Sequence, residues 1–298
     1  KTSHVIVKNQ LNDISQLEPF DVVGFDADHT LVKYNVSLLT EMIDNCYMKT
    51  LKNDCEGYPE NIEEYFEKSV INFSFNGAIF DLSNECIVKV SEEGYVLEAF
   101  SGFDKLSDVE IIQIYGEDRS FRIDHIFDPH TYRNYAKGYL GFHTYFDCPI
   151  IILCAKMLEL KKQGKLEKSS VDMFNDVRTC IIKNYIHYDT KECHKISDFG
   201  HFFPEMVKNV SKYIQKRDDF RQILIKLREK GKGIFIATNS HAEYTNMIMT
   251  QSIGEDWMSL VDFTSSHCGK PVYFKDLDGS RKFYRCDFEE KTLKGAEC

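Results

Sequence analysis

Three short apolar runs stand out along this sequence, and polar residues follow each of them. The first lies within Asp21–Asp26, the second is Gly233–Thr238, and the third apolar segment is Leu260–Thr264. Short, continuous apolar runs that end in turn residues are typical of buried parallel strands, whose carboxyl ends open into a site. The pattern therefore predicts buried strands at Asp21–Asp26 and Gly233–Thr238, with Leu260–Thr264 as a further apolar segment.

Apolar residues at helical spacing occupy the stretches that follow these runs. Leu38–Lys52 carries its apolar residues on one helical face, and the stretch before Gly231 repeats the i, i+3, i+4, i+7 pattern. Asn239 and Ser240 are residues that can cap a further helix at Ala242–Gln251. Strands that alternate with helices in this way predict an α/β fold built on a parallel sheet.

The long stretch between the first and second runs has a different pattern. From Gly77 to Gly102, short apolar strands alternate with turn residues, which predicts a small antiparallel meander. Helical patterns follow at Ile150–Lys162 and Val171–Tyr185. A stretch of this length that holds its own strands and helices is predicted to be an inserted domain rather than a loop.

The length of the chain supports this division, because 298 residues suggest two domains at roughly 150 residues per domain. We predict a discontinuous first domain of residues 1–35 and 216–298, and an inserted α+β domain of residues 36–215.

Composition and charge exclude several classes of protein. The net charge of −10 argues against a nucleic-acid surface, which needs a basic footprint. The longest apolar stretch, Ile150–Ala155, is far shorter than the roughly 20 residues of a membrane span, so no membrane is expected. Ten cysteines occur without a Cys-x-x-Cys pair, which favours reduced, buried thiols in a cytoplasmic protein over a zinc site or a disulfide framework. The sequence does not specify an oligomeric state.

The first candidate site is the run from Asp26 to Thr30, directly after the first predicted strand. Carboxylates two residues apart at a strand end can face one site, where a cation or a proton must offset their repulsion. A phosphate monoester repels anions, and Mg²⁺ shared by nucleophile and phosphate removes that repulsion. Asp26 could then attack phosphorus and form an aspartyl-phosphate, while Asp28 protonates the leaving alcohol. The alternative is a solvated turn that caps a helix.

Two further runs are candidates for binding the phosphate. Thr238 and Asn239 stand between a predicted strand and a helix start, where a hydroxyl and free backbone amides favour an anion. The same run is also a common helix cap. Lys270 follows the third apolar segment and could neutralise the phosphate, although a lone lysine is usually a surface charge.

These motifs, in this order, resemble the haloacid dehalogenase superfamily, and more narrowly its cytosolic 5′-nucleotidase branch. The matching stretches are Val23–Leu31, Ile236–Ser240 and Lys270-Pro271, with Gly94–Leu97 and Tyr145–Pro149 in the insert. The resemblance implies a Rossmann-like core, a large cap inserted after the first motif, and a nucleoside 5′-monophosphate as substrate. It also implies Mg²⁺, bound by the carboxylate of Asp26 and the backbone carbonyl of Asp28.

The sequence departs from the family in one respect. Members carry a fourth motif, an apolar strand that ends in Gly-Asp, which supplies the remaining metal ligand. We find no such pattern among the acidic residues after Lys270, which are Asp276, Asp278, Asp287, Glu289 and Glu290. In the family's sheet the missing strand lies beside the first, so we expect Val22–Phe25 to be an apolar edge and the core to be incomplete at the C-terminus of this sequence.

The sequence therefore leaves three functions open. The leading one is Mg²⁺-dependent phosphomonoester hydrolysis. A non-catalytic binding protein on the same fold is the alternative, and a phosphatase for sugar phosphates or phosphoproteins is the third. His143, Tyr145 and Phe146 could stack on a nucleobase, but such aromatic residues also form cores.

Overall fold

A computed structural model describes residues 17–65, 73, 77–121, 138–142, 144–185, 199–270 and 274, together with the backbone of 284–287 and 292–295. The strands are β1 (Val22–Phe25), β2 (Lys33–Tyr34), β3 (Ala78–Asp81), β4 (Cys86–Val90), β5 (Val96–Ser101), β6 (Asp104–Lys105), β7 (Tyr139–Gly141), β8 (Ile214–Gln215), β9 (Gly233–Ala237), β10 (Phe263–Ser265), β11 (Tyr284–Asp287) and β12 (Thr292–Gly295). The α-helices are α1 (Val36–Asp54), α2 (Asp108–Tyr115), α3 (Cys148–Lys162), α4 (Ser170–Tyr185), α5 (Phe202–Lys208), α6 (Val210–Tyr213), α7 (Asp218–Glu229) and α8 (Ala242–Ser252). Short 3₁₀ helices occur at Ile62–Tyr65 and Trp257–Leu260.

The chain divides into two compact units. Of the described residues, the first unit holds 17–35 and those from 207 onward, and the second holds 36–185 and 199–206. Residues 207–215, which we placed in the insert from the sequence, thus group with the first unit. Helices and strands in several sheets confirm the prediction of an α/β fold.

A three-stranded parallel sheet in the order β1-β9-β10 organises the first unit. β1 pairs with β9 from Val22↔Gly233 to Phe25↔Ile236, and β10 pairs with the other side of β9. All three strands run in the same direction, so their carboxyl ends lie at one edge of the sheet. The residues that follow β1, β9 and β10 are consequently brought together at that edge.

The two faces of this sheet differ in burial. Paired residues of parallel strands share a face, and Phe25, Ile234 and Ile236 are buried. On the opposite face Val22 is 57% exposed and Phe263 is 54% exposed. The prediction of a fully buried first strand is therefore wrong for this face. Among the described strands β1 also has a neighbour on one side only, as expected for an apolar edge.

Gly24 is required by the packing on the exposed face. The ring of Phe235 lies over Gly24 and stacks on Phe263, with ring centroids 5.3 Å apart and planes 4° apart. A Cβ atom at position 24 would stand 2.3 Å from Cζ of Phe235, closer than carbon atoms can approach. The glycine therefore provides the space in which the Phe235 ring lies.

Smaller elements complete the first unit. β2 and β8 form a two-stranded antiparallel ladder, and the N–H of Asn35 donates to the carbonyl of Tyr213 at 2.8 Å. α7 packs against β9. As predicted, the helix ends before Gly231, whose φ is 71°. β11 and β12 form a separate two-stranded antiparallel sheet. The side chains of Asp276, Asp278, Asp287, Glu289 and Glu290, like His143, lie outside the described residues.

The second unit is built on a five-stranded antiparallel sheet in the order β6-β5-β4-β3-β7. β3, β4 and β5 confirm the meander predicted between Gly77 and Gly102. α1, α3 and α4 form at the predicted places and pack against one another. None of the described helices has the combination of length and apolar composition that crossing a bilayer demands.

Candidate active site

The loop after β1 is a tight turn anchored in the core. The N–H of Val32 donates to the carbonyl of Ala27 at 2.9 Å, and the N–H of Thr30 donates to the same carbonyl at 3.3 Å. Ala27, Leu31 and Val32 are fully buried. Because these neighbouring residues are buried, the side chains of Asp26 and Asp28 are held at fixed places on the carboxyl edge of the sheet.

Asp26 stands at the open side of this edge. Its Oδ1 accepts hydrogen bonds from the N–H of Ala27 at 2.8 Å and from Nζ of Lys270 at 2.7 Å. The Asp26 side chain is 42% exposed, whereas that of Lys270 is only 18% exposed. The geometry thus presents an accessible carboxylate beside a largely buried cation, which suits a nucleophile for an anionic ester.

Asp28 faces the interior, where hydroxyl groups surround its carboxyl group. Oδ1 accepts from the hydroxyl of Tyr34 at 2.5 Å, and Oδ2 accepts from Oγ of Ser240 at 2.6 Å. Oγ1 of Thr238 lies 3.4 Å from Oδ2, a long and weak contact. The two short hydrogen bonds fix the plane of the carboxyl group.

This environment raises the pKa of Asp28 above its ordinary value. The main cause is the loss of solvent around the carboxyl group, which disfavours its charged form. The hydrogen bonds from Ser240 and Tyr34 act in the opposite direction, and the negative charge of Asp26 raises the pKa further. A carboxyl group that keeps its proton to a higher pH is suited to act as a general acid.

The loop after β9 is tied to the end of β10. The N–H of Thr238 donates to the carbonyl of Ser265, and the N–H of Cys268 donates to the carbonyl of Thr238, both at 2.9 Å. Thr238 is buried, and its Oγ1 accepts from the N–H of Ser240 at 3.1 Å. Backbone hydrogen bonds therefore join the loop after β9 to the loop after β10 at the candidate phosphate site.

Asn239 holds the backbone of Lys270. Its Oδ1 accepts from the N–H of Lys270 at 2.6 Å, and its Nδ2 donates to the carbonyl of Lys270 at 3.3 Å. The sequence suggested a direct phosphate contact for Asn239, and the structure places its amide against the neighbouring loop. Asn239 thus positions the lysine that reaches Asp26.

Contacts between neighbours connect all the residues selected from the sequence at one edge of the sheet, namely Asp26, Asp28, Thr238, Asn239 and Lys270. Sequence reasoning did not assign roles to three residues that the structure places at the site, namely Tyr34, Ser240 and Tyr244. The hydroxyl groups of Tyr34 and Tyr244 are 3.0 Å apart. Ser240 lies inside a motif already identified, so its position next to Thr238 was an available indication. Tyr34 stands only six residues after Asp28, whereas no pattern in the sequence connects Tyr244 with either residue.

The donor atoms at this edge fit a hard divalent cation. Asp26 offers an exposed carboxylate, and Mg²⁺ prefers oxygen ligands. Within the described part of the chain, no cluster of three or more histidine, cysteine or acidic side chains is suited to hold a metal. The two ligands implied by the family resemblance, the carboxylate of Asp26 and the carbonyl of Asp28, stay a prediction.

The family profile and the similar proteins that match this chain all carry the name 5′-nucleotidase. A sequence profile of the 5′ nucleotidase family matches residues 9–298. The 5′-nucleotidase domain-containing protein 1 of Bos taurus is 28% identical over 274 residues, which cover 91% of this chain and 58% of that protein. The human protein of the same name is 25% identical over 272 residues, with the same shares covered.

The human 5′-nucleotidase domain-containing protein 2 is 26% identical over 287 residues, which cover 95% of this chain and 50% of that protein. This chain thus spans about half the length of the curated relatives that it matches. The profile match extends over nearly the whole sequence. This chain therefore belongs to the 5′ nucleotidase family.

Proposed function

We propose that this protein is a Mg²⁺-dependent phosphomonoester hydrolase of the haloacid dehalogenase type, acting on nucleoside 5′-monophosphates through an aspartyl-phosphate. The observation that carries the proposal is the pair of carboxyl groups at the edge of the parallel sheet. Asp26 is exposed and ion-paired with Lys270, and Asp28 is enclosed with a raised pKa. Two acids held in opposite environments suit a nucleophile and a general acid.

In the first step a carboxylate oxygen of Asp26 forms a bond to phosphorus as the bond to the leaving oxygen breaks. Asp28 gives its proton to that oxygen, so the product leaves as a neutral alcohol. In the second step the oxygen of a water molecule forms a bond to phosphorus as the bond between phosphorus and the Asp26 oxygen breaks, and the water gives a proton to Asp28. Inorganic phosphate is released, and both carboxyl groups return to their starting state.

The remaining groups bind and orient the phosphate. The ammonium group of Lys270 offsets the charge of the phosphate and of the phosphorylated Asp26. The loop after β9 offers backbone amides at the start of α8 to the phosphate oxygens. Asp26 and the carbonyl of Asp28 would hold Mg²⁺, which would supply further positive charge at the site.

The two units have different roles in this proposal. The first unit carries the chemistry as the haloacid dehalogenase core, and the second acts as the cap that selects the substrate. The names of the relatives support a nucleoside 5′-monophosphate, since they refer to 5′-nucleotidase domains. A cytoplasmic location agrees with the seven free cysteines among the described residues.

A non-catalytic binding protein is the second candidate, and one observation favours it. Both carboxyl groups are already engaged within the protein, Asp26 by Lys270 and Asp28 by Tyr34 and Ser240. Such a site could hold a phosphorylated ligand without turning it over.

An assay of phosphate release distinguishes hydrolysis of a phosphomonoester from binding without turnover. The substrates are nucleoside 5′-monophosphates, sugar phosphates and a phosphopeptide, each with Mg²⁺ and with a chelator. We expect Mg²⁺-dependent hydrolysis, and we expect Asp26→Asn to lower kcat to less than about a hundredth of the wild-type value. Asp21→Asn, an exposed aspartate just before β1, is the matched control.

Two results would contradict the proposal. A folded Asp26→Asn variant that keeps more than about a hundredth of wild-type kcat would exclude Asp26 as the nucleophile. Binding of a nucleotide without hydrolysis of any ester would identify the protein as a binding protein.

A further inference from the structure

Tyr34 reaches the site from a hydrogen-bonded and buried part of the first unit. It belongs to β2, where it pairs with Ile214 of β8, and the neighbouring Asn35 is bonded to the carbonyl of Tyr213. The Tyr34 side chain is buried, and its ring lies 4.8 Å from that of His29, measured between centroids. The hydroxyl group therefore has little freedom to move away from Asp28.

The direction of the hydrogen bonds at Tyr34 follows from its single hydroxyl proton. Oδ1 of Asp28 can only accept, both when the carboxyl group is ionised and when its proton is on Oδ2, so the Tyr34 hydroxyl donates to Oδ1 across 2.5 Å. In the contact between the two tyrosines, Tyr244 must then be the donor across 3.0 Å. The result is a directed chain from Tyr244 through Tyr34 to Asp28, within the buried part of the site.

The two oxygens of Asp28 consequently face different groups. Oδ1 accepts from Tyr34, and Oδ2 accepts from Ser240 on the candidate phosphate loop, with the hydroxyl of Thr238 in a long contact at 3.4 Å. Oδ2 is thus the oxygen on the side of the candidate phosphate loop, and Oδ1 is the oxygen on the side of Tyr34.

We propose that Tyr34 is a positioning residue that holds Asp28 by Oδ1 and so directs Oδ2, as the proton-donating oxygen, towards the leaving group of a phosphomonoester. This inference rests on the proposed function and adds a residue to it. Tyr34 acts through Asp28 and does not touch the substrate. Its removal leaves the nucleophile and Lys270 in place but lets the carboxyl group of Asp28 rotate.

The expected effect falls on proton transfer rather than on substrate binding. A misplacement of about 1 Å in a catalytic group lowers the rate by up to about a hundredfold. We expect Tyr34→Phe to lower kcat for adenosine 5′-monophosphate by about tenfold to a hundredfold, with KM changed by less than about threefold. p-Nitrophenyl phosphate should be affected less, because its leaving group needs little protonation.

Tyr115→Phe is the matched control. The hydroxyl of Tyr115 also donates to a carboxylate, Asp81, at 2.8 Å, but it lies in the second unit. The control variant should keep the wild-type kcat for both esters. Equal losses for the two esters in Tyr34→Phe, or an unchanged kcat for the nucleotide, would show that Tyr34 has no positioning role.

Proton NMR tests the contact without any turnover. An O–H···O bond as short as the one between Tyr34 and Asp28 gives a hydroxyl proton resonance far downfield of the amides. We expect this resonance in the wild-type protein and in Tyr115→Phe, and we expect it to vanish in Tyr34→Phe and in Asp28→Asn. Its absence from the wild-type protein would overturn the positioning role whatever the activity. Its presence in a protein that hydrolyses no ester would instead overturn the proposed function, and with it the inference that Tyr34 positions a proton donor.

Discussion

Replacement of Lys156 by methionine should destabilise the second unit strongly, because Lys156 forms a buried ion pair. Its Nζ donates to both carboxylate oxygens of Asp44, at 2.8 and 2.6 Å, and the two side chains are only 5% and 8% exposed. The pair joins α3 to α1 in the interior of the unit. Methionine fills a similar volume but leaves the carboxylate of Asp44 without its ammonium partner.

The size of the effect follows from the burial of both groups. Removing one partner of a buried pair typically lowers the free energy of unfolding by about 3–5 kcal/mol, because the other charge stays in a medium of low polarity. Replacing both partners by apolar residues is often neutral. The double variant Asp44→Leu with Lys156→Met should therefore recover most of the stability lost in Lys156→Met.

The loss in Lys156→Met should also depend on pH. Burial raises the pKa of Asp44, while the charge and hydrogen bonds of Lys156 lower it, so removing the lysine raises that pKa further. Between the ordinary value of 3.8 and the raised value, the folded state holds a proton that the unfolded state has lost. Stability then falls as the pH rises through this window, and the deficit is largest near neutral pH.

Urea unfolding followed by circular dichroism measures these differences at neutral and at mildly acidic pH. Lys105→Met is the control, because its ion pair with Glu98 is exposed and should contribute less than about 1 kcal/mol. A loss below about 1 kcal/mol in Lys156→Met would refute the reasoning, since it would place the Asp44–Lys156 pair on the same level as an exposed one.

Two further predictions concern the site and the sheet. Asp28→Asn should lower kcat more for alkyl phosphates than for aryl phosphates, because aryl leaving groups need little protonation. Steady-state kinetics with both esters checks this, and an equal loss would make Asp28 structural. Gly24→Ala should lower the free energy of unfolding by about 1–3 kcal/mol, since its Cβ would stand 2.3 Å from Cζ of Phe235. Thermal unfolding should show partial recovery when Phe235→Leu is added, and the absence of recovery would locate the strain elsewhere.

The sequence predicted the elements of the fold better than their burial. Apolar runs and helical spacing located β1, β9, α7 and α8, because these patterns are local. The exposure of Val22 and Phe263 was not predictable, since it depends on what covers the sheet. An apolar strand has the same appearance in the sequence whether one face or both are covered.

The candidate site was predictable where it follows from strand direction. Asp26, Thr238 and Lys270 come after three segments of one parallel sheet, so their meeting at one edge follows from the topology. Tyr34 lies only six residues after Asp28, but Ser240 lies 212 residues after Asp28, and Tyr244 lies 210 residues after its partner Tyr34. Such long-range pairing leaves no periodic trace, and the partners of Asp28 therefore required the structure.

Asn239 binds the backbone of Lys270, so it fixes the place of the charge beside Asp26 but not the sign of that charge. Asn239 binds the N–H and the carbonyl of residue 270, groups that every residue except proline carries in full. Residue 239 thus sets where the side chain beside Asp26 begins, and residue 270 alone sets which charge it bears. A single substitution at position 270 could reverse or remove the charge at the nucleophile while the surrounding backbone keeps its form. The charge beside the nucleophile can therefore change in evolution by substitution of residue 270 alone, without a change in the backbone of the loop.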